Sequence, residues 1–296
     1  MLKSVILMQP IEHIVKAPSK FYKLLAPTFN HWLQAPADKL RSIEEALPIM
    51  STYVILVDDI QDKATYRYGK LTSHEVFGMG LTINAAYKTL LLGQKLIADL
   101  GHPSAPDLLL KTHEAFFRGQ GIDLYWTENF IIPSEEAHIE MCKQKNGSWF
   151  ALPVQLLQLF SDNNTDYSQL ARDVGLFYTV VDDYVNLFQS DKLCKMAKIK
   201  QDIHNISSDV TECKISLAVI HASQFPDVFP ELAYIYKQRT SDPKLVSHAI
   251  SLLKKHGSDE YMREAVKTIE AEIRSEIERL GGNPKLTEFM DELSFY

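Results

Sequence analysis

Apolar residues recur at the spacing of an α-helix along most of the chain, and this pattern restricts the fold more than any other feature. In the stretch SQLARDVGLFYTVVDDYVNLF, Leu170, Val174, Phe177 and Val181 lie three or four residues apart. The stretches LTINAAYKTLLLGQKLIADL and DEYMREAVKTIEAEIRSEIERLGG follow the same period, and each stops at glycine. Alternating strand patterns are almost absent. We therefore predict an all-α protein, a single bundle of ten or more helices.

The predicted helices follow one another with only short interruptions. The breaks are HPSAPD, FIIPSEE, FSDNNTD and TSDPK, each a brief polar segment, and the chain has no repeat or long linker. A chain of 296 residues with 46% hydrophobic content is large enough to bury one large core. We therefore expect residues 1–296 to form a single domain.

Charge and cysteine content argue against several classes of protein. The net charge is -7, and no stripe of Lys and Arg is long enough to follow a nucleic-acid backbone. The cysteines Cys142, Cys194 and Cys213 lack metal-ligand spacing, and an odd number suits a reducing compartment. The N-terminal apolar run is too short for a signal peptide, and no stretch approaches the roughly 20 apolar residues of a membrane span. We expect a soluble cytoplasmic protein.

A first acidic cluster, YVILVDDIQD, follows an apolar run. Asp58 and Asp62 are four residues apart, so they share one face of a helix, with Asp59 beside them. Like charges at the edge of a core repel one another and lose hydration. A divalent cation would offset both costs, although one such cluster is equally compatible with a solvated helix end.

A second cluster, VVDDYVNLF, repeats this arrangement with Asp182, Asp183 and Asn186. Two clusters that each follow an apolar run favour helices that face each other with cations between them. Mg²⁺ suits sites made only of oxygen ligands, and it is commonly held by one or two carboxylates together with substrate phosphates. The two clusters therefore predict a substrate whose diphosphate is bound through magnesium.

The acidic stretches LVDDIQD and FYTVVDDYVNL resemble the two aspartate-rich motifs of the trans-isoprenyl diphosphate synthases. Further matches occur in the order of that family: FNHWL, RGQGIDLYW, KQKNGSWF, SDVTECKISLAVIHA and GGNPKL. The set spans nearly the whole chain and is most similar to the geranylgeranyl diphosphate synthases of animals and fungi. The resemblance implies the isoprenoid synthase fold, with a deep apolar pocket between central helices, and usually a homodimer.

The resemblance also implies the roles of individual residues. In the family, three Mg²⁺ ions hold the diphosphate of an allylic substrate, whose departure leaves an allylic cation. The implied catalytic residues and metal ligands are Asp58, Asp59, Asp62, Asp182 and Asp183, with Asn186 as a further ligand. The implied diphosphate-binding residues are Arg67, Lys145 and Lys214, with the polar pair Gln120 and Asp123.

The sequence departs from the family at a second site, which binds isopentenyl diphosphate during chain elongation. Ser19 and Tyr22 occupy the positions of a lysine and an arginine, Ser51 that of a histidine, and Tyr68 that of a second arginine. Each charge-assisted contact contributes about 1.5–3 kcal/mol, so losing four of them lowers affinity by several orders of magnitude. We therefore predict a terpene synthase, which ionises an allylic diphosphate without elongating it.

Other departures fall at the predicted pocket. Tyr53 lies five residues before the first motif, where an aromatic residue shortens the pocket in this family, which implies geranyl or farnesyl diphosphate as substrate; alternatively, Tyr53 turns away from the pocket. Thr179 replaces a glutamine, and Asn146 replaces the threonine of the lysine motif. Aromatic faces stabilise cations. The candidates for that role, with core packing as the alternative, are Tyr22, Tyr53, Tyr68, Trp149, Phe177 and Tyr178.

Three other functions remain open at this point. A short-chain prenyl diphosphate synthase with a rewired second site would require isopentenyl diphosphate. A non-catalytic partner subunit of a prenyltransferase is a second possibility, although such subunits usually lose an acidic motif. A protein that only sequesters prenyl diphosphates is the third, and it would not release diphosphate in the presence of magnesium.

Overall fold

The computed structural model describes residues 4–14, 20–67, 70–189 and 207–294, and these are almost entirely helical. The helices are α1 (Ser4–Ile14), α2 (Lys20–Leu33), α3 (Ala37–Gln61), α4 (Ser73–Phe77), α5 (Met79–Ala98), α6 (Ala105–Asn129), α7 (Glu135–Cys142), α8 (Ser148–Gln158), α9 (Ser168–Phe188), α10 (Ser208–Thr211), α11 (Leu217–Ala222), α12 (Phe229–Lys237), α13 (Pro243–Lys255), α14 (Ser258–Arg279) and α15 (Pro284–Leu293). In the described ranges the strands are β1 (Tyr66–Arg67) and β2 (Lys70–Leu71), which pair antiparallel. The all-α prediction is confirmed.

Local signals set several helix ends where the sequence places them. Helix α9 begins and ends at the first and last residues of the predicted stretch. Gly101 and Gly281 follow α5 and α14 with φ of 79° and 93°. Because glycine has no Cβ, it enters this left-handed region at little cost and ends a helix there. Asn283 caps α15 by accepting a hydrogen bond from the Leu286 backbone nitrogen at 3.1 Å.

The main apolar core runs from α2 to α15, and α3, α8 and α9 lie at its centre. Helix α3 packs on α5, α8 packs on α9, and α9 packs on α14. Large side chains such as Phe29, Phe150 and Phe177 are fully buried, and each contributes about 1.5–3 kcal/mol through removal of its surface from water. Because α3 and α9 are central, the acidic residues at their C-terminal ends lie where the core meets the surface.

A single π-helical turn, Lys143–Gly147, joins α7 to α8 and was not predicted. It packs against both α6 and α9. Glycines permit this close approach, since a Cβ at Gly119 would lie 2.6 Å from the Lys145 nitrogen, and one at Gly175 would lie 2.8 Å from the Gly147 Cα. The turn places Lys145 between helices, and π-turns of this kind frequently occur at functional sites.

Two further features bear on the sequence-based expectations. In the described part of the chain, no helix has both the length and the apolar character needed to cross a bilayer. Cys142 and Cys213 are buried free thiols, whereas Cys194 lies outside the described residues.

Candidate active site

The first acidic cluster occupies the end of α3 and contains two kinds of carboxylate. Asp58 and Asp62 are partly accessible, whereas Asp59 is 1% exposed. Arg67 from β1 bridges two of them: its Nη2 donates to Asp58 Oδ2 at 3.0 Å, and its Nε donates to Asp59 Oδ1. Asp59 Oδ2 has no hydrogen-bond partner among the described residues. The guanidinium thus balances part of the charge of this cluster.

The second acidic cluster repeats this division on α9. Asp182 and Asn186, four residues apart, are partly accessible, whereas Asp183 is 1% exposed. Lys214 Nζ donates to Asp183 Oδ1 at 2.5 Å. Each cluster therefore has two partly accessible oxygen-bearing side chains and a buried aspartate that is paired with a cation.

Electrostatic coupling indicates that the two clusters are neighbours. Burial raises the pKa of Asp182, and the charge of Asp58 on the other helix raises it further, while Lys214 and Arg67 lower it. Burial also raises the pKa of Asp62 to about 7, helped by the charge of Asp58. The π-turn also contacts both helices, since Lys145 Nζ lies 3.8 Å from Asp58 Oδ1 and Asn146 Nδ2 donates to Thr179 Oγ1 at 2.8 Å. The C-terminal parts of α3 and α9 therefore lie near each other.

Residues of α6 and the π-turn complete one side of this site. Lys145 Nζ lies 2.8 Å from Asp123 Oδ2 and 3.8 Å from Asp58 Oδ1. Gln120 Nε2 donates to Asp58 Oδ1 at 3.4 Å and to Gln61 Oε1 at 3.1 Å. Burial alone would raise the pKa of Asp123, but the Lys145 ammonium holds it below its usual value. The polar pair and the lysine predicted from sequence therefore lie together beside the first acidic cluster.

Two acids in this region were missed by sequence reasoning, Asp209 in α10 and Glu212 just after it. Asp209 is 1% exposed and accepts a hydrogen bond from Asn186 Nδ2 at 3.3 Å. Burial raises the pKa of each to about 8. Both lie in SDVTECK, from which only Lys214 was selected. The sequence signal that could have identified them is the presence of two acidic residues shortly before Lys214.

The carboxylates of this site are partly neutralised by cationic side chains of the same site. In the described ranges, no set of three or more His, Cys, Asp or Glu side chains is arranged to hold a metal ion. The cations Arg67, Lys145 and Lys214 instead pair with the carboxylates. The donors still fit Mg²⁺, because they are oxygens and because Asp59 Oδ2 is buried without a hydrogen-bond partner in the described part of the chain. A bound cation would satisfy this oxygen.

Comparison with known proteins shows the family of this chain. The sequence profile described as polyprenyl synthetase matches residues 4–253. The chain belongs to the polyprenyl synthetase family. It is 36% identical over 292 residues to a protein named terpene synthase from Matsumurasca onukii, covering 97% of this chain and 92% of that one. It is 33% identical to a geranylgeranyl pyrophosphate synthase from Dictyostelium discoideum and 31% identical to one from Mucor circinelloides f. lusitanicus, with the same coverage of 97% and 92% in each case.

Membership of the family confirms two expectations from the sequence. The predicted resemblance is correct, and the helical architecture is the all-α isoprenoid synthase fold. The family and the relatives also identify the chain as an enzyme of isoprenoid biosynthesis, either a prenyltransferase or a terpene synthase.

The residues predicted to line the pocket of this polyprenyl synthetase homologue fall into two groups. Tyr53 and Trp149 are buried, with ring centroids 6.5 Å apart, and His113 packs at 5.8 Å from Tyr53 and 5.6 Å from Trp149. Along the chain, Tyr53 lies about one and a half turns before Asp58, and His113 lies about two turns before Gln120. Trp149 lies about one turn after Lys145. Phe177 is fully buried in the core, and Tyr178 packs on Phe150 at 5.4 Å.

Two positions at which the chain departs from the family contact each other. Asn146 Nδ2 donates to Thr179 Oγ1 at 2.8 Å, and Thr179 Oγ1 donates to the Gly175 carbonyl at 2.9 Å. The sequence identified both departures separately but gave no indication that they are partners. Together they form a short hydrogen-bond chain beside Lys145.

The positions of the family's isopentenyl diphosphate site are only partly described. Ser19 and Tyr68 lie outside the described residues, and Tyr22 is described only as part of the α2 backbone. Ser51 is buried, and its Oγ donates to the Pro48 carbonyl at 3.0 Å. The side chain at the histidine position therefore has its only proton engaged within its own helix.

Proposed function

We propose that this chain is a terpene synthase, which ionises geranyl or farnesyl diphosphate and releases a mono- or sesquiterpene together with diphosphate. The observation that supports this proposal most strongly is a contrast between two sites. The carboxylates and cations for an allylic diphosphate are gathered at the ends of α3 and α9, whereas Ser51 offers neither charge nor a free proton for a second diphosphate. The relative named terpene synthase supports this reading.

The proposed metal site uses the oxygen donors of both acidic clusters. The proposed ligands, for three Mg²⁺ ions per site, are Asp58, Asp59, Asp62, Asp182, Asp183 and Asn186. Bound Mg²⁺ would act as a Lewis acid that neutralises the leaving diphosphate. In this set Asp58, Asp62, Asp182 and Asn186 are the partly accessible donors, and the buried Asp59 and Asp183 also pair with Arg67 and Lys214.

The cations of the site would then bind the diphosphate. Arg67, Lys145 and Lys214 each lie beside a carboxylate, and they exchange part of that contact for diphosphate oxygens when substrate and metal enter. Gln120 and Asp123 orient Asp58 and Lys145 for this exchange. Burial lowers the pKa of an isolated lysine, but the surrounding carboxylates raise that of Lys145 and keep it charged.

The allylic cation would form next to an aromatic wall. In this proposal the rings of Tyr53, Trp149 and Tyr178 stabilise positive charge, and exclusion of water protects the cation from capture. The released diphosphate can accept the proton, so the mechanism requires no separate base.

The proposal is tested with purified protein, Mg²⁺ and one allylic diphosphate at a time, without isopentenyl diphosphate. Gas chromatography–mass spectrometry should detect a terpene, and a coupled assay should detect diphosphate in equal amount. The variants S51A and Asp173→Asn serve as controls that leave the proposed machinery intact. If no terpene forms and a longer prenyl diphosphate appears once isopentenyl diphosphate is added, the chain is an elongating synthase with a rewired second site.

Substituting Tyr53 should change the substrate length that the enzyme accepts. Tyr53→Ala removes a buried ring one and a half turns from Asp58 and leaves space at the aromatic cluster. We expect the ratio of kcat/KM for geranylgeranyl diphosphate to that for farnesyl diphosphate to rise at least about tenfold, since a pocket discriminates by roughly 1–3 kcal/mol per methylene. Tyr53→Phe retains the ring and should leave the ratio unchanged. An unchanged ratio in Tyr53→Ala would place Tyr53 outside the pocket wall.

We also propose a homodimer, supported by an apolar row on α5. Met79, Ile83, Tyr87 and Leu91 recur every four residues and are all exposed, which is unusual for an isolated soluble protein. A second copy of the chain would cover this row.

Tyr87→Glu should weaken dimerisation at least about tenfold, because charge replaces an apolar contact. Tyr234→Glu is the matched control, since Tyr234 is 71% exposed and Tyr87 64% exposed. Analytical ultracentrifugation measures the dimer dissociation constant of each variant, and a monomeric wild-type protein would contradict the proposal.

A further inference from the structure

The side-chain amide of Asn186 lies between two carboxylates. Its Nδ2 is 3.5 Å from Asp182 Oδ2 on α9 and 3.3 Å from Asp209 Oδ1 on α10. An amide nitrogen only donates, and an ionised carboxylate only accepts, so in the metal-bound state, where Asp209 is deprotonated, this placement determines which end of the amide is which. The carbonyl oxygen Oδ1 therefore points away from both carboxylates, and no group in the described ranges donates a hydrogen bond to it.

The orientation matters because magnesium binds an amide through its oxygen. The contact with Asp182 cannot fix this orientation alone, since 3.5 Å is at the outer limit of a hydrogen bond. Asp182 is also on the accessible face of α9. Asp209 is different, because it is 1% exposed and belongs to another element.

The segment that carries Asp209 is fastened to α9 at two points. The Lys214 backbone nitrogen donates to the Asp209 carbonyl at 2.8 Å, and the Lys214 ammonium pairs with Asp183 at 2.5 Å. One turn further along α9, the Asp209 carboxylate meets Asn186. Asp209 Oδ2 is buried without a hydrogen-bond partner in the described part of the chain. Asp209 thus has a fixed position from which to orient the amide.

We propose that Asp209 is a positioning residue that holds the Asn186 amide with its oxygen directed at bound magnesium. The inference rests on the proposed function, since it assigns Asn186 as a metal ligand. It explains how a neutral side chain serves at the last position of the second acidic cluster: the neighbouring carboxylate that orients it would repel an aspartate there. The two positions should therefore tolerate an exchange better than either single change.

The test measures metal binding directly, with Mn²⁺ and inorganic pyrophosphate as probes and electron paramagnetic resonance to count free Mn²⁺. D209N should weaken Mn²⁺ binding about 10- to 100-fold, as is usual when a partner that orients a ligand is lost. N186D should also weaken it, because two carboxylates then face each other. In the double variant N186D/D209N, the new amide can donate to the new carboxylate, and binding should return to within about threefold of wild type.

Two results would overturn the inference. Unchanged Mn²⁺ affinity in D209N would show that Asp209 does not act on the metal site. An additive loss in the double variant would make Asp209 a direct ligand or a general structural residue. Asp162→Asn, an exposed change in the loop that precedes α9, is the control, and thermal melts identify any variant that fails to fold. If D209N fails to fold, the Mn²⁺ affinities of N186D and of the double variant still test the inference, which requires tighter binding in the double variant. Because pyrophosphate binding requires no turnover, absence of terpene in the product assay is a separate outcome.

Discussion

Replacement of Asp182 by asparagine should lower the rate of allylic diphosphate consumption by about 10²–10³-fold. Asp182 is the partly accessible carboxylate of the second acidic cluster, and its pKa is raised by burial and by the charge of Asp58 on α3. Asparagine retains the shape but removes the charge that would hold a cation against the leaving diphosphate. Because this interaction strengthens as the diphosphate departs, the loss should appear mainly in kcat. Single-turnover product analysis with saturating Mg²⁺ measures it.

The matched control for this variant is on the same helix. Asp173→Asn changes a carboxylate that pairs with Lys143 at 2.8 Å near the other end of α9, and it should leave kcat within about twofold. An Asp182→Asn enzyme that retains wild-type kcat would remove the second acidic cluster from catalysis. It would leave a role in binding or sequestration for the site.

The metal-free protein should be more stable at pH 6 than at pH 8. Burial raises the pKa of Asp59 to about 6, of Asp62 to about 7, and of Asp209 and Glu212 to about 8. The folded state therefore binds more protons than the unfolded state between pH 4 and these values. The resulting stability is complete below the unfolded pKa and is lost as pH rises through the folded pKa. We expect the Tm to fall by on the order of 5 °C or more from pH 6 to pH 8.

Magnesium and pyrophosphate should reverse this trend. Their binding requires deprotonated carboxylates, so the Tm should rise more at pH 8 than at pH 6. Asp123 does not interfere in this window, because its lowered pKa affects stability only at more acidic pH. Glu212→Gln removes one of the titrating groups and should flatten the pH dependence of the metal-free protein. A Tm that is equal or higher at pH 8 without metal would mean that these carboxylates are ionised in the folded protein.

The features predictable from sequence were those that depend on local spacing. Helical periodicity located α9 to the residue, and glycine marked the ends of α5 and α14. The spacing of four residues placed Asp182 and Asn186 on one face of α9, whereas Asp62 is the C-cap residue that follows α3, one turn after Asp58. These relations are fixed by the geometry of one helix, so no knowledge of packing was required.

The features that escaped prediction depend on contacts between distant segments. Sequence treated the three residues of each acidic cluster alike, yet packing buries Asp59 and Asp183 and pairs them with Arg67 and Lys214. The π-turn depends on glycines of two other helices. Asp209 lies 23 residues after its partner Asn186, beyond the reach of any periodic pattern.

The hydrogen bond between Asn146 and Thr179 limits the order in which these two positions can be substituted. Thr179 has one hydroxyl proton, which the Gly175 carbonyl accepts at 2.9 Å, so it can only accept from the Asn146 amide at 2.8 Å. A change at either position alone leaves a polar group beside the site without its partner, at a cost of about 1–3 kcal/mol. Paths that convert this pair to the family's threonine and glutamine therefore cross a less stable single mutant. Selection for stability one substitution at a time would therefore disfavour this conversion, whereas a library that varies both codons together would contain the converted pair directly.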